Sequence, residues 1–371
     1  MRIELFSGSQ GIRTLAPAWQ SLTEQVSRKR HFHLVEWCLA LAETFEQHNL
    51  VPLRCLALVE SNSLVAVIPC RFMRIHLGSK SLSAIRLVSD HLENLTARDI
   101  VIAPHLANGE FFSEFSSLLA KVDSRWQVLS LEGLLPDSLA ARALEHSVKI
   151  PRFKMPGGAW GKIQFISCGR GADPFAHLTK SFRQNLRTAN NKLSSACVSF
   201  ESARTKNDLN GLLPEFLRVE SSGWKGQGGT SALKEPITST FLQRLILHFG
   251  SKGDCEICVM RVGGQPIAAL FGITANRIWY IFKTGYDETH HRASPGHLIL
   301  ENLLKQIAID HSFDTVTPYN APPWFHAWKP DVVLPVSDLH TFRPSSEGSA
   351  LAQYMGDAVR RSGRPPLFTP P

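Results

Sequence analysis

Ile278–Leu304, IWYIFKTGYDETHHRASPGHLILENLL, is the stretch whose reading decides the fold. Its apolar, aromatic start (IWYIF) reads as a strand, a polar turn follows, and a helix opens at Arg292–His297 (RASPGH). Ser294 suits the N-cap, and Pro295 suits the first helical position, where a missing N–H costs nothing. The N–H groups of Gly296, His297 and Leu298 are then expected to lack partners within the helix. They lie at the positive end of its dipole, with Arg292 alongside. Such a helix start suits a phosphate or pyrophosphate.

Outward from this stretch, one phrase occurs twice. CLALV, a turn at Glu60–Ser63 and LVAVIPCRF read as a hairpin, as do ICVMRV, a turn at Gly263–Pro266 and IAALFGI. Val59–Val67 (VESNSLVAV) aligns without a gap on Val262–Leu270 (VGGQPIAAL), which suggests two copies of one α/β unit. In the first copy the continuation, MRIHLGSKSLSAIRLVSDHLENL, holds only a loose Gly-Ser turn in place of the loop and helix. The second copy is therefore the expected active one.

Elsewhere, Met1–Phe6 reads as a strand, and Ala16–Val26 and Trp37–His48 as helices around a basic turn, SRKRH. Between the copies, Asp173–Ser195 reads as a helix capped by Asp173 and started by Pro174. Phe175, Leu178, Phe182, Leu186, Ala189 and Leu193 form its apolar stripe. The tail from Arg343 to Pro371 is rich in Pro, Ser and Gly and is expected to be disordered apart from a short helix near Ala350–Arg361.

At 371 residues the chain exceeds one ordinary domain of about 100–200 residues. Hydrophobic residues at 43% and charged residues at 19% fit a globular protein with ample core. Seven scattered cysteines suit a reducing compartment better than a disulfide framework. Cys255 and Cys258 form a CxxC inside a strand-like run, where positions three apart face opposite sides, so no metal site is expected. The opening residues lack a basic start followed by an apolar core, and no apolar run nears the ~18–20 residues that span a bilayer. The expected location is the cytoplasm, with peripheral membrane contact left open. The net charge is +8, and Pro151–Lys206 alone holds ten Lys/Arg against two acids. That segment suits a polyanionic cofactor or substrate; no DNA-binding motif accompanies it.

Five stretches come in a recognisable order: SFRQNLRTANNKL, FLRVESSGWKGQGGTSAL, the IAALFG hairpin, YIFKTGYDETHHRASPGHLILENLL and FDTVTPYNAPPWFHAW. Together they resemble the CelD/BcsL-like branch of the GNAT acyltransferases, tandem-GNAT proteins related to the FemABX transferases. The resemblance runs from about Leu15 to Phe342 and is most specific in Ser181–Trp328. It implies an α/β fold of two tandem GNAT-like domains, each a mixed, mostly antiparallel twisted sheet flanked by helices. The expected division is a degenerate domain at 1–150, an acyltransferase domain at 151–342 beginning with the basic helix 173–195, and the tail 343–371. It further implies transfer of an acyl group, acetyl above all, from acyl-CoA to a small-molecule or sugar-linked amine, in some branches in polysaccharide or envelope biosynthesis. FemABX relatives use aminoacyl-tRNA instead, which is the one setting in which tRNA is expected as a partner. A third reading keeps the fold as a non-catalytic scaffold that binds an anionic glycan or nucleotide-sugar. The family's pyrophosphate loop, Q/R-x-x-G-x-G/A, is matched by Arg292–His297 with its Arg and one Gly in shifted spacing. Where many members have Tyr-Lys, this chain has Trp324-Phe325.

Acyl transfer from a thioester needs a deprotonated amine near the carbonyl, polarisation of that carbonyl, and a proton for the departing thiolate. Cofactor contacts are expected from Phe282, Lys283, Thr284 and Gly285 on the strand, and from Arg292, Ser294, Gly296, His297 and Leu298 at the helix start. Glu220 is the candidate base or amine-binding group and Tyr286 the candidate acid, with Asp287 and Tyr319 as further catalytic candidates. His290 and His291 have side chains suited to proton transfer. Trp224, Asp314, Trp324 and Trp328 are expected to border the acceptor. No Ser-His-Asp or Cys-His order stands out, so direct attack in a ternary complex is expected.

Overall fold

The computed structural model describes residues 1–362 apart from 78, 93–95, 109, 146–149, 158–160, 195, 224–227, 230 and 319. The chain forms two compact units. The first comprises Met1–Lys162 and the chain from Leu334 onward; the second is Ile163–Val333. Among the described residues no helix is long and apolar enough to cross a membrane.

In the first unit, β1 (Arg2–Ser7) leads through helices α1 (Gly8–Glu24) and α2 (Val35–Gln47) to the hairpin β2 (Arg54–Glu60) and β3 (Ser63–Leu77). β4 (Lys80–Leu87), the short β5 (Val101–Ile102), α3 (Phe111–Val122), β6 (Val128–Leu134), α4 (Leu139–Glu145) and β7 (Arg152–Pro156) follow. The second unit holds β8 (Lys162–Ser167), α5 (Lys180–Lys192), β9 (Val198–Ala203), α6 (Lys206–Ser222), α7 (Pro236–Phe249), β10 (Cys255–Val262) and β11 (Gln265–Ala275). It continues with β12 (Ile278–Tyr286), α8 (Pro295–Asp310), β13 (Thr315–Pro318) and β14 (Val332–Pro335). The chain then returns to the first sheet with β15 (Ser337–Phe342) and α9 (Ser346–Ser362).

Strand order makes the duplication plain. The first sheet runs β1-β2-β3-β4-β6-β15-β7, with β5 beside β3, and the second runs β9-β10-β11-β12-β13-β8-β14. In each, four antiparallel strands are followed by one parallel pair, β4 with β6 and β12 with β13. Two helices join the first and second strands of each series, α1 and α2 in one unit, α6 and α7 in the other. Eight residues separate the end of β12 from the start of α8, but a much longer stretch separates β4 from α3. The first unit therefore lacks the short loop that the second carries.

The hairpins match, one residue away from the ungapped alignment. Both turns have two residues with positive φ, Ser61-Asn62 and Gly263-Gly264, the signature of a type I′ turn whose twist suits a hairpin. Both pairings skip a residue at the same place: Val59↔Leu64 is followed by Leu58↔Ala66, and Arg261↔Pro266 by Met260↔Ala268. Val65 thus corresponds to Ile267, whereas the sequence alignment set Val65 on Ala268. A slip of one residue reverses which face each side chain meets, so turn geometry rather than letter matching fixes the register.

Three expectations change. The helix expected at 173–195 starts at Lys180, capped by the Thr179 hydroxyl accepting from Phe182 N–H. Asp173 instead accepts from the Phe175 N–H in a preceding turn. The apolar stripe does pack into the second unit's core. Second, the division falls after Lys162, and residues 334–342 belong to the first sheet's unit, because β15 pairs with β6 and β7. Third, the tail is helical through 362: Leu351 and Met355 are buried against Ile75, Leu82, Val128 and Phe342, which gives α9 an apolar face to bury. Residues 363–371 lie outside the described residues.

Candidate active site

β12 is the strand around which the site is built. Phe271 pairs with Lys283 but Gly272 pairs with Ile281, so Phe282 is the extra residue of a bulge. Parallel pairing with β13 ends, among the described residues, at Ile281↔Pro318. Beyond the bulge, Lys283–Tyr286 continue to pair with β11, and Thr284, Gly285 and Tyr286 line a cleft.

That cleft is a cavity of about 450 Å³. Thr284, Gly285 and Tyr286 form one wall, Glu220 and Gly223 at the end of α6 a second, and His291, Ser294, Gly296 and His297 a third, with Trp324 alongside. Gly285 is what lets α6 come so near. A Cβ there would lie 2.4 Å from Glu220 Cα and 2.9 Å from its Cβ, closer than carbon atoms approach.

Glu220 is buried; its Oε2 accepts from the Ala232 N–H at 2.7 Å, and its Oε1 stands 3.5 Å from Lys283 Nζ. The carboxylate is a held counter-charge at the cavity wall, with Lys283 behind it. Tyr286 is kept protonated: burial, then the charge of Glu288 and a hydrogen bond to it, raise the phenol's pKa. Asp287 does not line the cavity. Its Oδ1 caps the turn Glu288–Ala293 by accepting from Thr289 N–H at 2.9 Å and Thr289 Oγ1 at 2.8 Å. Burial alone would raise its carboxyl pKa, but these bonds, with His290 and Arg218 nearby, take it below the usual range.

The start of α8 differs from expectation. Ser294 sits at the N-cap position with φ of 48°, and its hydroxyl makes no capping bond. Its carbonyl accepts from both His297 N–H (2.9 Å) and Leu298 N–H (3.2 Å). Leu298 is buried, and its N–H closes the first helical hydrogen bond, so it is not an anion contact. The Gly296 N–H remains, and a Cβ there would meet only Tyr286 Cδ1 at 3.5 Å. Arg292 is exposed beside it, and Lys192 of α5 donates to the Arg292 carbonyl at 2.6 Å, bringing a second cation to the loop.

His297 contributes its ring rather than its backbone N–H, which the Ser294 carbonyl already takes. Trp328, fully buried, donates its indole N–H to His297 Nδ1 at 3.1 Å. Phe182, Trp324 and Trp328 face the imidazole at ring-centre distances of 5.3, 6.5 and 6.0 Å. Burial lowers its pKa, so the ring is neutral at neutral pH. His291, on the same cavity, bonds through Nδ1 to the Glu288 carbonyl at 2.8 Å.

Three expected residues fall elsewhere. The Phe282 ring packs on Phe241 and Phe271, on the helix side of the sheet. Asp314 precedes β13 and grips Arg277 with both oxygens at 2.9 Å. Because β12 and β13 run parallel from Ile278↔Thr315, Asp314 lies at the opposite end of the strand from Gly285, roughly 20 Å away, and does not border the cavity. Trp328 lies beneath the cavity, behind His297. Trp224 and Tyr319 lie outside the described residues. Lys192, Gly223 and the ring role of His297 escaped the sequence, because each depends on a neighbour far along the chain. The CxxC pair is buried on β10, and burial raises both thiol pKa values.

Residues 180–317 match the family described as an acetyltransferase (GNAT) domain. Among solved structures, FemX superposes with a TM-score of 0.56 at 10% identity, covering 94% of this chain and 98% of FemX. A conserved protein of unknown function from Bacteroides thetaiotaomicron gives 0.54 at 10% identity, over 88% and 97% of the two chains. The C-terminal domain of a putative lysylphosphatidylglycerol synthetase from Agrobacterium fabrum gives 0.50 at 11%, over 93% and 96%. At these identities the likeness is one of fold. No curated protein matches the chain in sequence. The second unit thus matches a GNAT domain at 180–317, and the chain as a whole has a tandem GNAT-like α/β fold similar to that of FemX.

Proposed function

We propose that the second unit is an N-acyltransferase that takes an acyl group, acetyl above all, from acyl-CoA to an amine by direct attack. The observation that carries this reading is the cavity at the end of β12 beyond its bulge, walled by the start of α8. It fits the donor on three counts. The β12 edge offers backbone N–H groups to an acyl carbonyl and pantetheine arm. The Gly296 N–H at the helix start, on the cavity wall, meets a pyrophosphate. Arg292 and Lys192 flank that end with positive charge. Acyl-CoA supplies an activated thioester; the chain's residues orient it and handle protons. Tyr286 O–H, on the cavity wall, is the proton donor for the departing sulfur, and Glu220 with Lys283 fixes the local charge next to the incoming amine. Trp324 offers a flat apolar wall to the acceptor, a small-molecule or sugar-linked amine of polysaccharide or envelope biosynthesis. An acyl-CoA donor places the reaction in the cytoplasm.

The run Lys180, Arg183, Arg187 and Lys192 on α5 favours a second reading, aminoacyl-tRNA as donor. Titration calorimetry separates the two. Acetyl-CoA binding that is competed by free coenzyme A and unaffected by tRNA supports the first reading. Salt-sensitive tRNA binding without any acetyl-CoA heat overturns it.

A further inference from the structure

Two histidines face the cavity, and their hydrogen bonds give them opposite proton arrangements. An indole N–H can only donate, so the bond from Trp328 Nε1 leaves His297 Nδ1 bare and puts the proton of the neutral ring on Nε2. A backbone carbonyl can only accept, so the bond to Glu288 O puts the His291 proton on Nδ1 and leaves its Nε2 lone pair bare. Both rings line the same space between β12 and α8. We propose that these are the working pair of the acyl transfer: His297 Nε2–H polarises the thioester carbonyl, and His291 Nε2 takes the proton from the attacking amine.

This inference rests on the proposed acyl-CoA reading and assigns its chemistry. The amine nitrogen forms a bond to the acyl carbon, and the electron pair of the C=O moves to oxygen, where the His297 N–H meets it. The pair returns, the C–S bond breaks, and the sulfur leaves with its electrons as a thiolate. The proton lost by nitrogen passes to His291 and from there to solvent or sulfur, so amide and free thiol are the products. His297 gives up no proton. It acts as a neutral electrophile, a role an imidazole performs when its surroundings disfavour the cation. Phe182, Trp324 and Trp328, the rings that face it, carry no charge, and burial lowers its basicity. Glu220, the expected base, is already engaged by the Ala232 N–H and Lys283. His291 stands at the exposed rim, where an accepted proton can leave. Trp328 is a positioning residue, acting through the tautomer it imposes.

The test combines a spectrum with kinetics on the full chain. In long-range proton–nitrogen correlation spectra of histidine-labelled protein at neutral pH, assigned with His291→Gln and His297→Gln, His297 is expected with a protonated Nε2 and His291 with a protonated Nδ1. Trp328→Phe should turn the His297 pattern into a mixture. In acetyl-CoA-dependent thiol release, each Gln variant should lower kcat by about 100-fold while acetyl-CoA affinity changes little. Trp328→Phe should lower kcat about tenfold, and added imidazole should partly rescue His291→Gln but not His297→Gln. Reversed or averaged tautomers in the wild-type spectrum overturn the inference without any variant having to fold. So does turnover above about half of wild type in either Gln variant. If the wild-type chain binds no acetyl-CoA, the proposed function falls and this inference with it. Normal binding with the wrong tautomers sinks the inference alone.

Discussion

Gly285→Ala is the most informative single perturbation of the site. The added methyl would sit 2.4 Å from Glu220 Cα and 2.9 Å from both its Cβ and its N. Carbon atoms rest at about 3.5–4.0 Å, so the end of α6 must retreat from β12 by roughly 1 Å. Two of the three near atoms are backbone, so no rotamer change relieves the clash. Overpacking of this kind costs about 1–3 kcal/mol. For a unit of this size, that lowers Tm by roughly 2–10 °C. The functional loss should be larger than the stability loss. Glu220 and Lys283 already stand at 3.5 Å, so the same retreat breaks their pairing and widens the cavity between its two walls. A misplacement of about 1 Å near the reacting atoms costs about 100-fold in rate. Gly296→Ala is the control, because its Cβ would meet only Tyr286 Cδ1 at an ordinary 3.5 Å. Differential scanning calorimetry and thiol release on both variants check this. A Gly285→Ala protein with unchanged Tm and unchanged turnover would show that α6 does not press on β12 as described.

Other consequences follow from the same contacts. Arg292→Ala combined with Gly296→Asp removes one cation and sets a carboxylate at the helix start. It should abolish acetyl-CoA heat in calorimetry while leaving the melting profile intact. In the first unit, burial takes the His340 pKa down to about 4, with Glu132 opposing and Arg86 adding to the shift. The unfolded chain therefore binds this proton first, and stability is full above about pH 6.5 and falls as pH drops toward 4, by an amount of order 3 kcal/mol. Urea unfolding at pH 7 and pH 4.5 should show that loss, and His340→Gln should flatten it. Met355→Ala empties a fully buried position between α9 and the first sheet, and should cost about 2–4 kcal/mol by denaturant midpoint.

How far the sequence could be read depended on the range of the cause. The strand IWYIF, the helix after Pro295 and the paired hairpins are set by neighbouring residues, and all were legible. The duplicated topology could be inferred from those hairpins, but their one-residue offset could not. It is fixed by where positive φ falls, at Ser61-Asn62 in one unit and Gly263-Gly264 in the other. Asp173 and Thr179 both carry capping side chains, and the helix starts at the later one, with Asp173 capping a separate turn and Leu178 packed in the core. At the site, Thr284–Tyr286, Glu220, Ser294, Gly296, His297 and Trp324 do meet at one cavity. Asp314 was misplaced because the direction of β13 relative to β12 is a property of the sheet. The Trp328–His297 bond joins two elements that no spacing rule connects.

The proposed activity of this cavity is acyl transfer from acyl-CoA to an amine. Free-thiol release from acetyl-CoA, followed with a thiol-reactive dye across a panel of small and sugar-linked amines, tests it most directly. The wild-type chain should release thiol in an amine-dependent way, and the Arg292→Ala, Gly296→Asp double variant should release none above background. Equal release by both proteins, or release that no amine stimulates, would contradict it.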